Sequence, residues 1–152
     1  MKYLKTYEAQ HATTIARRFK GEYDKINTKL IEIKQYMDEI LLHLSDEGYK
    51  VKTDICTDIT DNHISLLICN RKPFEINDIK DELEHLSSYL KSKGMETPLT
   101  NMFKYYLGEV KARTRLDYDT HEEYKEYEFF IRLYPKKVRE LNAKIDAIRN
   151  SK

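Results

Sequence analysis

The stretch YKVKTDICTDITDNHISLLICN, Tyr49 to Asn70, decides the fold class. Its first half places Tyr49, Val51, Ile55 and Ile59 at odd positions with mostly polar residues between them. Its second half repeats the alternation with Ile64, Leu66 and Ile68. A period of two lines one face of a strand with one set of side chains, and Asp61-Asn62 suits a two-residue hairpin turn. The pairing this predicts sets Thr60 against His63, Ile59 against Ile64, Thr57 against Leu66 and Ile55 against Ile68. One face of the hairpin is then apolar throughout, which is the condition that specifies a register.

Upstream the period changes to that of a helix. Ile15, Phe19, Tyr23, Ile26, Leu30, Ile33, Met37, Ile40 and Leu44 form one stripe of a long amphipathic helix. Gly21 and Asn27-Thr28 are the expected bends, and Gly48 suits the left-handed position after the last turn. Downstream, Pro73 precedes a second helix with Ile76, Ile79, Leu83, Leu86 and Leu90 on one stripe and Gly94 beyond its end. A second hairpin is predicted from about Phe103 to Tyr134, turning at Asp119-Thr120-His121-Glu122. Tyr106, Val110, Ala112, Leu116 and Tyr118 line a face of its first strand, and Tyr127, Phe129, Ile131 and Leu133 the matching face of the second. Pro135 opens a last helix carried by Val138, Leu141, Ile145 and Ile148. The expectation is a single α+β domain over residues 1–152, ordered α-ββ-α-ββ-α. It has a four-stranded antiparallel sheet with helices packed on one face and a long N-terminal helix.

Charge excludes little but weighs against two classes. Twenty-seven basic residues face 26 acidic ones with the signs interspersed, so no whole-chain field draws the protein to nucleic acid or to a membrane surface. Two cysteines, Cys56 and Cys69, cannot make a disulfide scaffold and lack metal-site spacing. No apolar run is long enough to span a bilayer, and the opening residues hold no signal-peptide core. We therefore expect a cytoplasmic protein without a cofactor or structural metal, and no membrane partner.

Several patterns suggest chemistry. Lys111, Arg113 and Arg115, with Lys104 nearby and Tyr105 and Tyr118 flanking them, are a basic stripe on a hairpin that can track a phosphate backbone. The predicted pairing sets Arg115 opposite Glu126, Arg113 opposite Glu128 and Glu109 opposite Arg132, which is equally the pattern of a solvated, charge-paired sheet face. Glu109-Val110-Lys111 resembles the acidic-x-Lys half-motif of metal-dependent nucleases, with Asp54 or Asp58 as the further carboxylate such chemistry requires. His63-Ile64-Ser65 resembles half of the His-x-Ser/Thr motif of two-histidine phosphoesterases, which need a second such strand to supply acid and base. The only other His-x-Thr is His11-Ala12-Thr13, at a helix start rather than on a strand. We therefore read His63 as an exposed turn residue. On the outer face of the first hairpin, Asp54, Asp58 and His63 with Cys56 and Cys69 offer metal-type ligands. The alternative is a partly covered apolar patch in which the two cysteines flank Leu67. The long helix is the strongest interaction feature. If its beginning projects, Phe19, Tyr23 and Ile26 present an apolar stripe to a second copy or to a foreign helix.

The opening Met1-Lys2-Tyr3-Leu4-Lys5-Thr6-Tyr7-Glu8 resembles the start of many small accessory proteins of large tailed bacteriophages. It is similar to the short Met-Lys-x-hydrophobic-Lys-x-aromatic-Glu leader that some such phages place on capsid-targeted internal proteins, so residues 1–8 are a candidate leader. Ile64 to Gly94, ending Tyr89-Leu90-Lys91-Ser92-Lys93-Gly94, has the look of the same proteins. The resemblance implies an accessory protein that binds a host or phage protein, in the host cytoplasm or packaged in the virion. The leading expectation is thus non-enzymatic protein binding, with nucleic-acid binding by the Lys104–Lys111–Arg113–Arg115 face as alternative and a phosphodiesterase or nuclease third.

Overall fold

Residues 14–96 and 110–151 are described by the computed structural model. A helical turn at residues 14–17 buries Ile15 and Ala16, and the helix is interrupted by a turn at Arg18 and Phe19 before the long helix α1 (Lys20–Asp46) begins. The interruption falls two residues ahead of Gly21, which lies inside the first turn. Tyr23, Ile26, Leu30, Ile33, Met37, Leu41 and Leu44 are the buried face of α1, with Ile40 at its margin. Gly48, at φ +95°, closes the helix as expected.

Strands β1 (Lys50–Cys56) and β2 (His63–Asn70) form the first hairpin, in a register four residues from the expected one. Ile55 lies opposite Ile64, Thr53 opposite Leu66 and Val51 opposite Ile68. The shift is even, so the same residues still point into the core. Long-range hydrogen bonds outcompete the tight turn. Thr53, buried on the inner face, donates its hydroxyl to Asp38 of α1. Asn62, fully buried, donates Nδ2 to Asn27 Oδ1 at 2.6 Å. Thr60 takes a left-handed φ of +74°, an unfavourable conformation for a β-branched residue, and its carbonyl accepts a 3.0 Å bond from Asn142. Residues 57–62 are therefore a loop pinned to both ends of the chain rather than a two-residue turn.

A 3-10 turn (Ile76–Ile79) leads into α2 (Lys80–Ser92). It is capped reciprocally by Glu75 and Asp78, with the Glu75 amide on Asp78 Oδ2 at 2.8 Å. Gly94, at φ +75°, turns the chain into β3 (Met95–Glu96). Two residues carry no readable alternation, so this strand was not anticipated. β4 (Lys111–Leu116) and β5 (Glu123–Pro135) follow, and α3 (Lys136–Asn150) ends the described chain with Pro135 as its N-cap.

Among the described residues the sheet has five antiparallel strands rather than four. β5 is its centre. One side pairs with β2, from Ile64 opposite Leu133 to Asn70 opposite Tyr127. Its other side pairs with β4 along its first half and with β3 at its end. The β4–β5 register is two residues from the expected one: Arg113 faces Glu126, Arg115 faces Tyr124 and Lys111 faces Glu128. Helices α1, α2 and α3 all bury their apolar stripes in one core with Ile64, Leu66, Ile68, Phe129, Ile131 and Leu133. The opposite face of the sheet carries no helix stripe and is the face on which the polar candidates fall.

Candidate functional site

The outer face is built by alternation. With Ile64, Leu66 and Ile68 turned inward, β2 turns His63, Ser65, Leu67 and Cys69 outward, and β5 likewise turns out Tyr124, Glu126, Glu128, Phe130 and Arg132. Register then sets rows across the sheet: Lys52–Leu67–Phe130 at the centre, Lys50–Cys69–Glu128–Lys111 beside it, and Cys56–His63 at the far end, where the His63 ring meets Tyr134. Phe130 is 49 % exposed.

The two arginines of the basic stripe have acidic partners. Glu128 is buried, and Arg113 Nε meets it at 2.8 Å while Arg115 Nη2 bonds its other oxygen. Arg115 also reaches Glu126 at 3.9 Å. The Arg113 contact runs diagonally, because Glu126 and not Glu128 is its direct partner in register. Hydrogen bonding to Glu128 raises the Arg115 pKa further. Between residues 111 and 128, four basic side chains face six acidic ones, so this hairpin is an acidic arm overall.

The arm extends past the core. Every residue of β4 is exposed, including Ala112, Thr114 and Leu116, which share a face with Tyr127. The expected apolar face of β4 is thus uncovered here. The tip is internally hydrogen-bonded: Asp117 Oδ1 accepts from the amides of Asp119 at 2.9 Å and Thr120 at 3.3 Å, and the Asp117 amide donates to Glu122 O at 2.9 Å. Those amide bonds hold the Asp117 carboxyl below the usual carboxylate range. This turn presents Tyr118 at 90 % exposure. A groove of about 560 Å³ runs from Lys50 and Lys52 over Leu67 and Cys69 to Tyr118 and Tyr124.

His63 corrects the sequence reading. It is buried, its Nδ1 lies 2.6 Å from the Asp61 carbonyl, and its ring packs on Tyr134 at 5.0 Å. A carbonyl can only accept, so Nδ1 is the donor in this contact. Cys56 is its cross-strand neighbour, and Cys56, Asp61 and His63 bring ligand atoms within 4.8 Å of one another. Asp54 and Asp58 do not join them. The altered register removes Cys56 from Leu67, whose partner is Lys52, so the expected Cys–Leu–Cys patch does not form. Cys69 instead lies with Glu126 and Glu128, and burial pushes its thiol up to about 11.

The long-helix candidates are turned inward. Tyr23 is fully buried and donates its hydroxyl to Asn142 Oδ1 of α3 at 3.0 Å; Ile26 is buried in the core, and Phe19 packs against it. The beginning of α1 does not project, because α3 covers it. Exposed Ile31 and Leu42 stand about 16 Å apart along α1, isolated as single surface apolar residues usually are. Lys104, Glu109 and His11-Ala12-Thr13 lie outside the described residues, as does the candidate leader. No helix among the described residues is long and apolar enough to cross a membrane. No family model, curated protein or solved structure matches the chain.

Proposed function

We propose that this is a non-enzymatic binding protein that holds another protein on the outer face of its sheet, as the accessory protein of a tailed phage acting in the host cytoplasm. The observation that carries it is the β4–β5 arm, which holds Tyr118 in solvent at the end of the groove that runs over Leu67, with exposed Phe130 beside Leu67 in the neighbouring strand. Ordering exposed aromatic surface before a partner arrives lowers the entropic cost of association, and aromatic anchors beside paired charges are typical of protein interfaces. The acidic sum of the arm and the engagement of Arg113 and Arg115 by Glu128 favour a protein over a phosphate backbone here. The leader resemblance supports the phage origin.

The test compares wild type with the Tyr118→Ser/Phe130→Ser variant as tagged baits in bacterial lysate treated with nuclease. The reading expects a stoichiometric protein on the wild type and its loss from the variant, with unchanged far-UV circular dichroism. Equal capture by both baits, or no protein on either, would overturn it.

A further inference from the structure

A second groove, of about 750 Å³, lies on the helical side between α1 and the start of α3, closed at one end by the Lys93–Met95 turn. Lys25, Lys29, Lys93, Lys136, Lys137 and Lys144 line it, opposed only by Glu22 and Glu140. This is an excess of four positive charges in a chain whose total is +1. The rest of the molecule therefore sums to −3, and the near-neutral composition conceals a segregated field. Among the described residues none of these six lysines is in an ion pair, whereas neighbouring Arg139 meets Glu96 at 2.9 Å.

The helix dipole does not explain the placement. Lys136 and Lys137 open α3, where the helix dipole disfavours cations, and no acidic residue shares that first turn. The lysines are also spread out. Lys25 and Lys29 are one turn apart on α1, and Lys136 and Lys144 are about 12 Å apart along α3. A single phosphate can meet only a few of them, while a run of phosphates can meet most. The lining holds no aromatic ring on which a base could stack, and its apolar floor includes the buried Ile26, Leu30 and Met95.

We propose that this groove binds the phosphate backbone of a nucleic acid without reading its bases. The site is separate from the outer sheet face, so either can fail without the other. Fluorescence anisotropy with labelled mixed-sequence DNA, single-stranded and duplex, tests it. Binding is expected at low salt, indifferent to sequence, with a log–log salt slope of about −3 for three or four neutralised phosphates. Lys136→Glu/Lys137→Glu should weaken it at least about tenfold. That variant should also fold well, since acidic residues suit a first helical turn. Lys111→Glu/Lys125→Glu on the arm makes the same change in net charge and should bind as wild type. Three results would overturn the proposal: no binding at low salt, loss in the arm variant with retention in the groove variant, or equally effective competition by poly-glutamate, which would make the ligand an acidic protein.

Discussion

Asn62 shows how much a single side chain decides. Its amide is buried, gives one hydrogen bond to Asn27, and leaves Oδ1 without a partner among the described residues. Removing Asn27 orphans the rest of that amide, so Asn27→Ala should cost about 1–3 kcal/mol in urea unfolding. Cys69 is the second such residue. Burial first, then Glu126 and Glu128, raise its thiol from 9.0 to about 11. The unfolded chain releases that proton at lower pH than the folded one, so this group's contribution to stability falls as pH climbs from about 9 to about 11 and is unaffected below. Near neutrality, iodoacetamide followed by mass spectrometry should label half-buried Cys56 and spare Cys69. Asp117 has the opposite sign: its depressed pKa keeps the tip bonds intact through the ordinary carboxylate range and loses them as pH falls through the folded value. Exchange of the Asp119 and Thr120 amides should accelerate only at a pH below the ordinary aspartate pKa.

At the scale of elements, the β4–β5 arm rests on an asymmetric ion cluster. Glu128 is buried while Arg113 and Arg115 are 59 % and 45 % exposed. Glu128→Gln leaves two solvated arginines and should cost about 1 kcal/mol. Replacing both arginines by alanine strands a buried carboxylate and should lower the urea midpoint further than Glu128→Gln does. Urea midpoints of the two variants decide the order. The elements themselves were legible where periodicity is strong: among the described residues α1, α2, α3, β2 and β5 lie where the alternation puts them, while β1 stops at Cys56, short of the expected Ile59, and the expected start of the second hairpin near Phe103 lies outside the described residues. The registers were not legible. Thr53 to Asp38 and Asn62 to Asn27 are bonds between elements, and a turn dipeptide carries no information about them. The candidate sites suffered similarly, since whether Tyr23 faces a partner or Asn142 depends on where the last helix lands.

For the whole molecule, the division is between a groove on the helical side lined by six lysines in no ion pair among the described residues and a sheet side where Arg113 and Arg115 are held by Glu128. Composition reports only the sum of the two, which is why a chain of charge +1 gave no sign of the groove. The sheet also has a temporal consequence. β5 is the partner of β2, β3 and β4 alike, yet it begins only at Glu123. While the chain emerges from the ribosome, β1 and β2 can pair, but β2's free edge and the strands after it stay unmatched until residue 135 is out. A nascent chain stalled before that point holds most of its apolar side chains without the central strand of their sheet, the condition in which unpaired strand edges favour aggregation.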